Sequence, residues 1–387
     1  MANQLAHALV QRSHSVVVIT TWNGREVKAE TIDGIKIIRI PPGNLYWVAD
    51  KDRQPAAKKV VWQLIDIWNP KVYRMVRHIL LAEHPDVVHV HKLRGLSPSV
   101  WSAAASAGVK KIVHTCHDYE ILSPEGTLMG RVGRLAREQN LVMRPYQSLR
   151  RGFSRLVNEA TAPSQFVLKT HLDMNFFPLA KTRIIPNSHG LDVNEIQQNI
   201  LELSKFPRKD PARRFLYIGR LDKAKGIDLL CQAFLQAADQ KQELLLRIAG
   251  WGPLEISLRE KYKHQSNIVF TGPVFGAQKA EIFRNSDMLV APSVVPETFG
   301  ISIAEAYSYG LPVIASRVGA FPEIVRVGKT GFLVEPGSVA DLVSALVKAS
   351  EAHSLTAAMY ENCFEEARKY TTEKLIDGYL DVYRGRP

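Results

Sequence analysis

The chain has 387 residues, 46% of them hydrophobic, which is enough for two packed cores and too apolar for a disordered protein. No apolar run approaches the roughly 20 residues that cross a bilayer, and MANQLAHALVQRSH lacks the basic flank, apolar run and cleavage site of a secretory signal, so a soluble, cytoplasmic protein is expected. The net charge of +12 is unevenly placed, with 26 basic and 16 acidic side chains in residues 1–200 against 24 and 22 in the rest.

The chain opens on NQLAHALVQR, an amphipathic helix with Leu5 and Leu9 on one stripe, which leads directly into a strand at 15–20. In a doubly wound domain the first helix follows a first strand and a glycine-rich turn. Neither precedes this helix, so the N-terminal domain is expected to lack its first strand. Short β-branched runs then alternate with helical patterns, at 35–40, 86–91, 110–116, 214–219, 244–250, 267–272, 287–292, 311–316 and 330–336. Such alternation predicts βα units and parallel sheets, an α/β fold. The polar, proline-bearing stretch 186–213 reads as a linker between two Rossmann-like domains, 1–185 and 214–370, and a helix over 371–387 is expected to cross their junction.

Much of the basic excess lies in residues 131–156, where seven arginines face one acid, Glu138. This stretch reads equally as a solvated helical face and as a surface for an anionic membrane or a phosphate-bearing substrate, which would place the protein peripherally at the inner membrane face. Nucleic acid is not expected as a partner, because no binding motif accompanies the charge. Cys116, Cys231 and Cys363 are far apart with no CxxC pair, which suits buried thiols in a reducing compartment.

Ligands of open α/β sheets bind beyond the carboxyl ends of the strands, so the loops there hold the candidate residues. After 287–292 comes VVPETFGISIAEAYSYG, with Glu297 in the loop and a helix starting near Phe299–Gly300. A glycine at that point lets backbone amides approach an anion at the positive helix end. Eight helical residues would separate Glu297 from Glu305 by about 12 Å along the axis and about 80° around it, which fits two ends of an elongated ligand better than a metal pair. Carboxylates accept hydrogen bonds from vicinal hydroxyls, so one acid could take a ribose diol and the other a sugar. The bland alternative makes Glu305 a surface acid, but Ile301, Ile303, Ala304 and Ala306 surround it.

After 214–219, Arg220 and Lys225 offer two cations suited to a diphosphate, or serve as ordinary surface charges. Gly250-Trp251-Gly252-Pro253 forms a turn without the third glycine of a nicotinamide fingerprint. His117 follows the strand 110–116; a lone histidine there is more often structural than catalytic. His14, His89, His91 and His114 carry no further signal, and Asp50-Lys51-Asp52 matches a metal-binding DxD pattern only by chance, in a polar loop.

In order and spacing, GRLDKAKGIDLL, AGWGP, VFTGPV, SDMLVAPSVVPETFGISIAEAYSYGLPVIASRVGAFPEIV and GKTGFLVEP resemble the family-four retaining glycosyltransferases of the GT-B fold. The resemblance covers nearly all of 214–340 and reaches the first half more thinly through DVVHVH, TCHDYE, TAPSQF and the IIPN ending at Asn187. It implies two Rossmann-like domains facing a cleft, and a metal-independent enzyme with no cofactor that moves a hexose-type sugar from a UDP- or GDP-sugar to a glycan or lipid-linked acceptor. By position, Glu305 would bind the ribose, Glu297 the transferred sugar with the amides of Phe299 and Gly300, and Arg220 and Lys225 the diphosphate. His117 would assist the transition state. The chain departs from the family in the missing first strand and glycine loop, in Ser13 where glycine is usual, and in a longer turn at 187–192. Two rival readings are an N-terminally incomplete protein that binds nucleotide sugar with weak turnover, and a sugar epimerase.

Overall fold

A computed structural model describes residues 1–124, 126, 128, 143–205, 212–241, 243–351 and 356–386. The chain divides into two compact units, one made of Met1–Pro186 with Ile376–Pro387, the other of Asn187–Leu375.

In the first unit, helix Ala2–Gln11 turns Leu5, Ala6 and Ala8 inward and leads to three strands, β1 (Val17–Thr21), β2 (Lys28–Ile32) and β3 (Ile35–Ile40). They are ordered β1-β3-β2, with β1 parallel and β2 antiparallel to β3. Asp33 and Gly34 join β2 to β3, both at positive φ, the two-residue hairpin geometry that an Asp-Gly pair favours. A separate parallel sheet orders β4 (Val87–Val90), β5 (Lys111–Thr115), β6 (Glu159–Ala162) and β7 (Lys181–Ile184) in sequence. Among the described residues no strand joins β1 to β4, so this unit holds two sheets. β2, β6 and β7 carry no strand signal in the sequence: β2 and β7 are mostly exposed, and β6 is short and built from Glu, Ala and Thr.

The last helix, Thr372–Arg384, packs on the first unit through its later residues. Tyr379 is fully buried with its hydroxyl 3.1 Å from Thr115 Oγ1, and Lys111 Nζ donates to the Val382 carbonyl at 2.7 Å.

The second unit is built on β8 (Arg214–Ile218), β9 (Leu245–Ala249), β10 (Ile268–Gly272), β11 (Met288–Ala291), β12 (Val313–Ser316) and β13 (Gly331–Val334). All six are parallel, in the order β10-β9-β8-β11-β12-β13, so the direction of winding reverses between β8 and β11. Side chains alternate between two cores: Phe215, Tyr217, Met288, Val290 and Ile314 on one face, Leu216, Leu289, Ala291, Val313 and Ala315 on the other. Burial on both faces is why these strands read as continuous apolar runs.

The stretch expected as a linker is in part a helix, Val193–Lys205, of this second unit. Ile196 is buried in its core and Asn199 donates to the Ser308 carbonyl at 2.9 Å, so apolar periodicity there outweighs the polar composition. Of the basic stretch, residues 131–142 lie outside the described residues. Arg150, counted there as a surface cation, is buried instead, 3.5 Å from Asp66 and donating to the Glu120 carbonyl at 3.0 Å. All three cysteines are free and buried. Among the described residues no helix is long and apolar enough to cross a membrane.

Candidate active site

β8 and β11 are the neighbouring strands at which the winding reverses, and in open α/β sheets ligands bind beyond the carboxyl ends of the strands at such a point. The two loops that leave these ends carry Arg220, Lys225, Glu297, Phe299 and Gly300, so one topological feature collects five of the expected residues. The loops touch closely. At Gly226, φ is 68° and an added Cβ would lie 2.1 Å from the Pro292 carbonyl oxygen, while the Val294 amide donates to the Ala224 carbonyl at 2.9 Å. Behind Glu297, Gly319 plays the same part: its φ is 59°, and an added Cβ would lie 2.3 Å from the Glu297 nitrogen.

This backbone scaffold brings Lys225 Nζ to 2.5 Å from Glu297 Oε1, and Ser293 Oγ donates to the same oxygen at 2.5 Å. The Glu297 side chain is 15% exposed, that of Lys225 34%, so the pair faces solvent through the lysine. Arg220 Nε sits 3.1 Å from Asp222, and the Tyr217 hydroxyl anchors the Arg220 carbonyl at 2.7 Å. Phe299 is buried with its ring edge-on to Tyr370, so its side chain belongs to the core and only its backbone is offered. The amides of Phe299 and Gly300 donate to no main-chain carbonyl among the described residues, at the start of helix Ile301–Ser308. Two cations and a helix start with open amides are groups that can neutralise and hydrogen-bond an anion.

Glu305 lies on that helix, with Lys279 Nζ 2.5 Å from its Oε1. Burial pushes its carboxyl pKa up, and Lys279 opposes the shift. Both acids, expected to face hydroxyls alone, therefore also hold a lysine partner. Lys279 and Ser293 were missed in the sequence. Ser293 stands two residues past β11, and Lys279 belongs to helix Gly276–Arg284 beyond β10, so a wider use of the strand-end rule would have found both.

His117 belongs to the first unit, two residues past β5. Its Nε2 lies 2.8 Å from His91 Nδ1 with the rings stacked, so one nitrogen must carry the proton that the other accepts. Burial lowers His91 to a pKa of about 3 and His117 to about 4, the latter helped by Lys92. Both are neutral at pH 7. His91 therefore carries more signal than its place in DVVHVH suggested: β4 ends at Val90, and strand alternation no longer sets where the His91 ring goes. His89 is tied on both nitrogens, to Tyr383 at 2.6 Å and to Thr115 at 2.7 Å. The neighbouring loop is stitched by Lys92 to Asp118 and by the Leu93 amide donating to Glu120.

Known proteins match both halves of the chain. The model of Glycosyltransferase Family 4 covers residues 1–193, and that of Glycosyl transferases group 1 covers residues 212–351. A protein of Klebsiella pneumoniae described as an uncharacterized 42.6 kDa protein in the cps region is 25% identical over 98% of this chain and 94% of its own length. A phosphatidyl-myo-inositol mannosyltransferase of Mycobacterium leprae is 27% identical over 82% of this chain and 78% of its own. The crystal structure of Anabaena HepE in complex with UDP superposes with a TM-score of 0.63 at 17% identity, covering 96% of this chain and all of that one. With family models on both halves and the strand order of the second sheet in place, the chain belongs to the family-four glycosyltransferases of the GT-B fold.

Proposed function

We propose that this glycosyltransferase is a retaining, metal-independent hexosyltransferase that uses a UDP- or GDP-sugar and a glycan or lipid-linked acceptor. The observation that carries the reading is the Lys225–Glu297 pair at the switch point of the second sheet, on the same two loops as Arg220 and the open amides of Phe299 and Gly300. Arg220 and Lys225 neutralise the diphosphate and steady its growing charge as it leaves, the task a divalent ion performs elsewhere. Lys225 would exchange part of its bond to Glu297 for a phosphate oxygen, freeing that carboxylate for sugar hydroxyls. Glu305 takes the ribose diol through Oε2, since Lys279 already occupies Oε1. In the transfer itself, the bond from the anomeric carbon to phosphate breaks and the acceptor oxygen bonds that carbon on the same face. The acceptor proton passes to the departing phosphate, and neutral His117 steadies the sugar. The relatives supply the donor and acceptor classes by analogy: UDP is bound by Anabaena HepE, and the mycobacterial relative is named for a phosphatidyl-inositol acceptor.

The test is to incubate the full chain with UDP- and GDP-hexoses, a lipid-linked acceptor and a chelator, following released nucleotide and the anomeric configuration of the product. Retained configuration with activity unaffected by the chelator is expected. Inversion of the product, or loss of activity on chelation, would refute the mechanism. Thermal protection by a donor with no product under any condition would favour the binding-only reading.

A further inference from the structure

In the first unit, the loops that carry His91 and His117 are joined residue by residue. His91, Lys92 and Leu93 follow β4, and each bonds to the loop after β5: His91 to His117 at 2.8 Å, Lys92 to the Asp118 carboxylate, and the Leu93 amide to the Glu120 carboxylate. Asp118 Oδ1 also accepts from the Glu120 amide at 2.9 Å, so the second and third rungs of this ladder brace each other. The histidine pair is the first rung, next to the strand ends.

A buried cation stands behind the ladder. Arg150, on helix Met143–Ser154, is 2% exposed; its Nη1 donates to the Glu120 carbonyl at 3.0 Å and to the Tyr146 hydroxyl, and its Nη2 lies 3.5 Å from the Asp66 carboxylate. Asp66 in turn accepts from the Gly95 amide at 3.0 Å. One guanidinium therefore reaches both loops, the one after β5 directly and the one after β4 through Asp66. Burial raises the carboxyl pKa of Glu120, and that of Asp66 to about 7, and Arg150 opposes both shifts. An ionised Glu120 accepts the Leu93 amide more strongly than the neutral acid does, so Arg150 acts on the ladder through charge as well as contact. A buried ion pair is a weak source of stability, since apolar side chains of equal size often serve as well or better. A satisfied polar network does fix one arrangement of the groups it joins.

We infer that Arg150 and Glu120 are positioning residues for the transfer: they hold the loops after β4 and β5 in the register that joins His91 to His117, and so set the direction of the His117 ring. Both are buried and act only through that ring. The inference rests on the role proposed for His117 above for its effect on the rate, and on the bonds of the ladder alone for its effect on the ring.

The test takes two readouts on the full chain: kcat and donor KM for sugar transfer, and the ring nitrogen NMR spectrum of protein labelled at histidine, with His91 and His117 assigned through His91→Asn and His117→Asn. The variants are Arg150→Met, Arg150→Lys, Glu120→Gln and a control, Asn69→Ala, which removes a different buried cap of the first unit. Arg150→Met should lower kcat by up to about a hundredfold, the cost of a misplaced group, and leave the donor KM unchanged. Arg150→Lys, which keeps the charge, should recover most of the rate. Added to His117→Ala, Arg150→Met should cost nothing further, because the two act as a unit. In the spectrum, the wild type should show one ring N–H of the pair bonded to the bare nitrogen of the other ring. Arg150→Met and Glu120→Gln should lose that pattern, and Asn69→Ala should keep it even where its Tm falls. Glu120→Gln matches the native side chain in size and carries the test where Arg150→Met fails to fold. Additive losses in the double variant, a ring pattern unchanged in both Arg150→Met and Glu120→Gln, or the same loss of pattern in Asn69→Ala would each overturn the proposal. Wild-type rates in His117→Ala would instead overturn the role given to His117, and the ring spectra then decide the positioning by themselves.

Discussion

Glu305 offers the sharpest check on the donor site. Its side chain is 17% exposed, Lys279 holds one carboxylate oxygen, and the other remains for a ribose diol. A hydrogen bond to a charged group contributes about 1.5–3 kcal/mol, and about 1.4 kcal/mol is tenfold in affinity, so Glu305→Gln should weaken the nucleotide by about ten- to a hundredfold. Stability should move little. Lys279 is a third exposed and returns to water when its partner is neutralised, and a pair of that kind is worth about 1 kcal/mol or less. Calorimetric titration with the nucleoside diphosphate that the wild type binds, and with its 2′,3′-dideoxy form, isolates the contact. The wild type should discriminate against the dideoxy nucleotide by the same factor that Glu305→Gln costs, and the variant should hardly discriminate. Discrimination that persists undiminished in Glu305→Gln would show that the ribose is held elsewhere and would refute the assignment.

Three further outcomes follow from the structure. Gly226→Ala places a Cβ 2.1 Å from the Pro292 carbonyl at a φ of 68°, so it should cost about 2 kcal/mol or more and lower Tm by several degrees, whereas an unchanged melt would mean that the β8 and β11 loops do not meet as described. His91 and His117 have folded pKa values of about 3 and about 4, below the unfolded value of 6.5, so the unfolded chain binds more protons between those limits and stability falls as pH drops from about 6.5 toward 4. Replacing both with Gln should flatten that slope in urea titrations across the window, and a slope unchanged in the double variant would place the protons elsewhere. His91→Ala should also lower kcat more than it raises the donor KM, with recovery in His91→Asn, because it frees the His117 ring that it now orients.

Residue order alone was informative where both faces of a strand are buried. Runs such as FLYI and MLVA announce parallel strands because both of their faces are packed against apolar cores, and the loops after them carried Arg220, Lys225 and Glu297 at recognisable spacing. β2, β6 and β7 stayed hidden because their main-chain hydrogen bonds, and not apolar side chains, define them. The strand order, the reversal between β8 and β11, the lysines on Glu297 and Glu305, and the bond between His91 and His117 join residues far apart along the chain. Local pattern fixes which segments can become strands and which loops end them; only the packing of those strands side by side decides which loops become neighbours, and with them which charges meet.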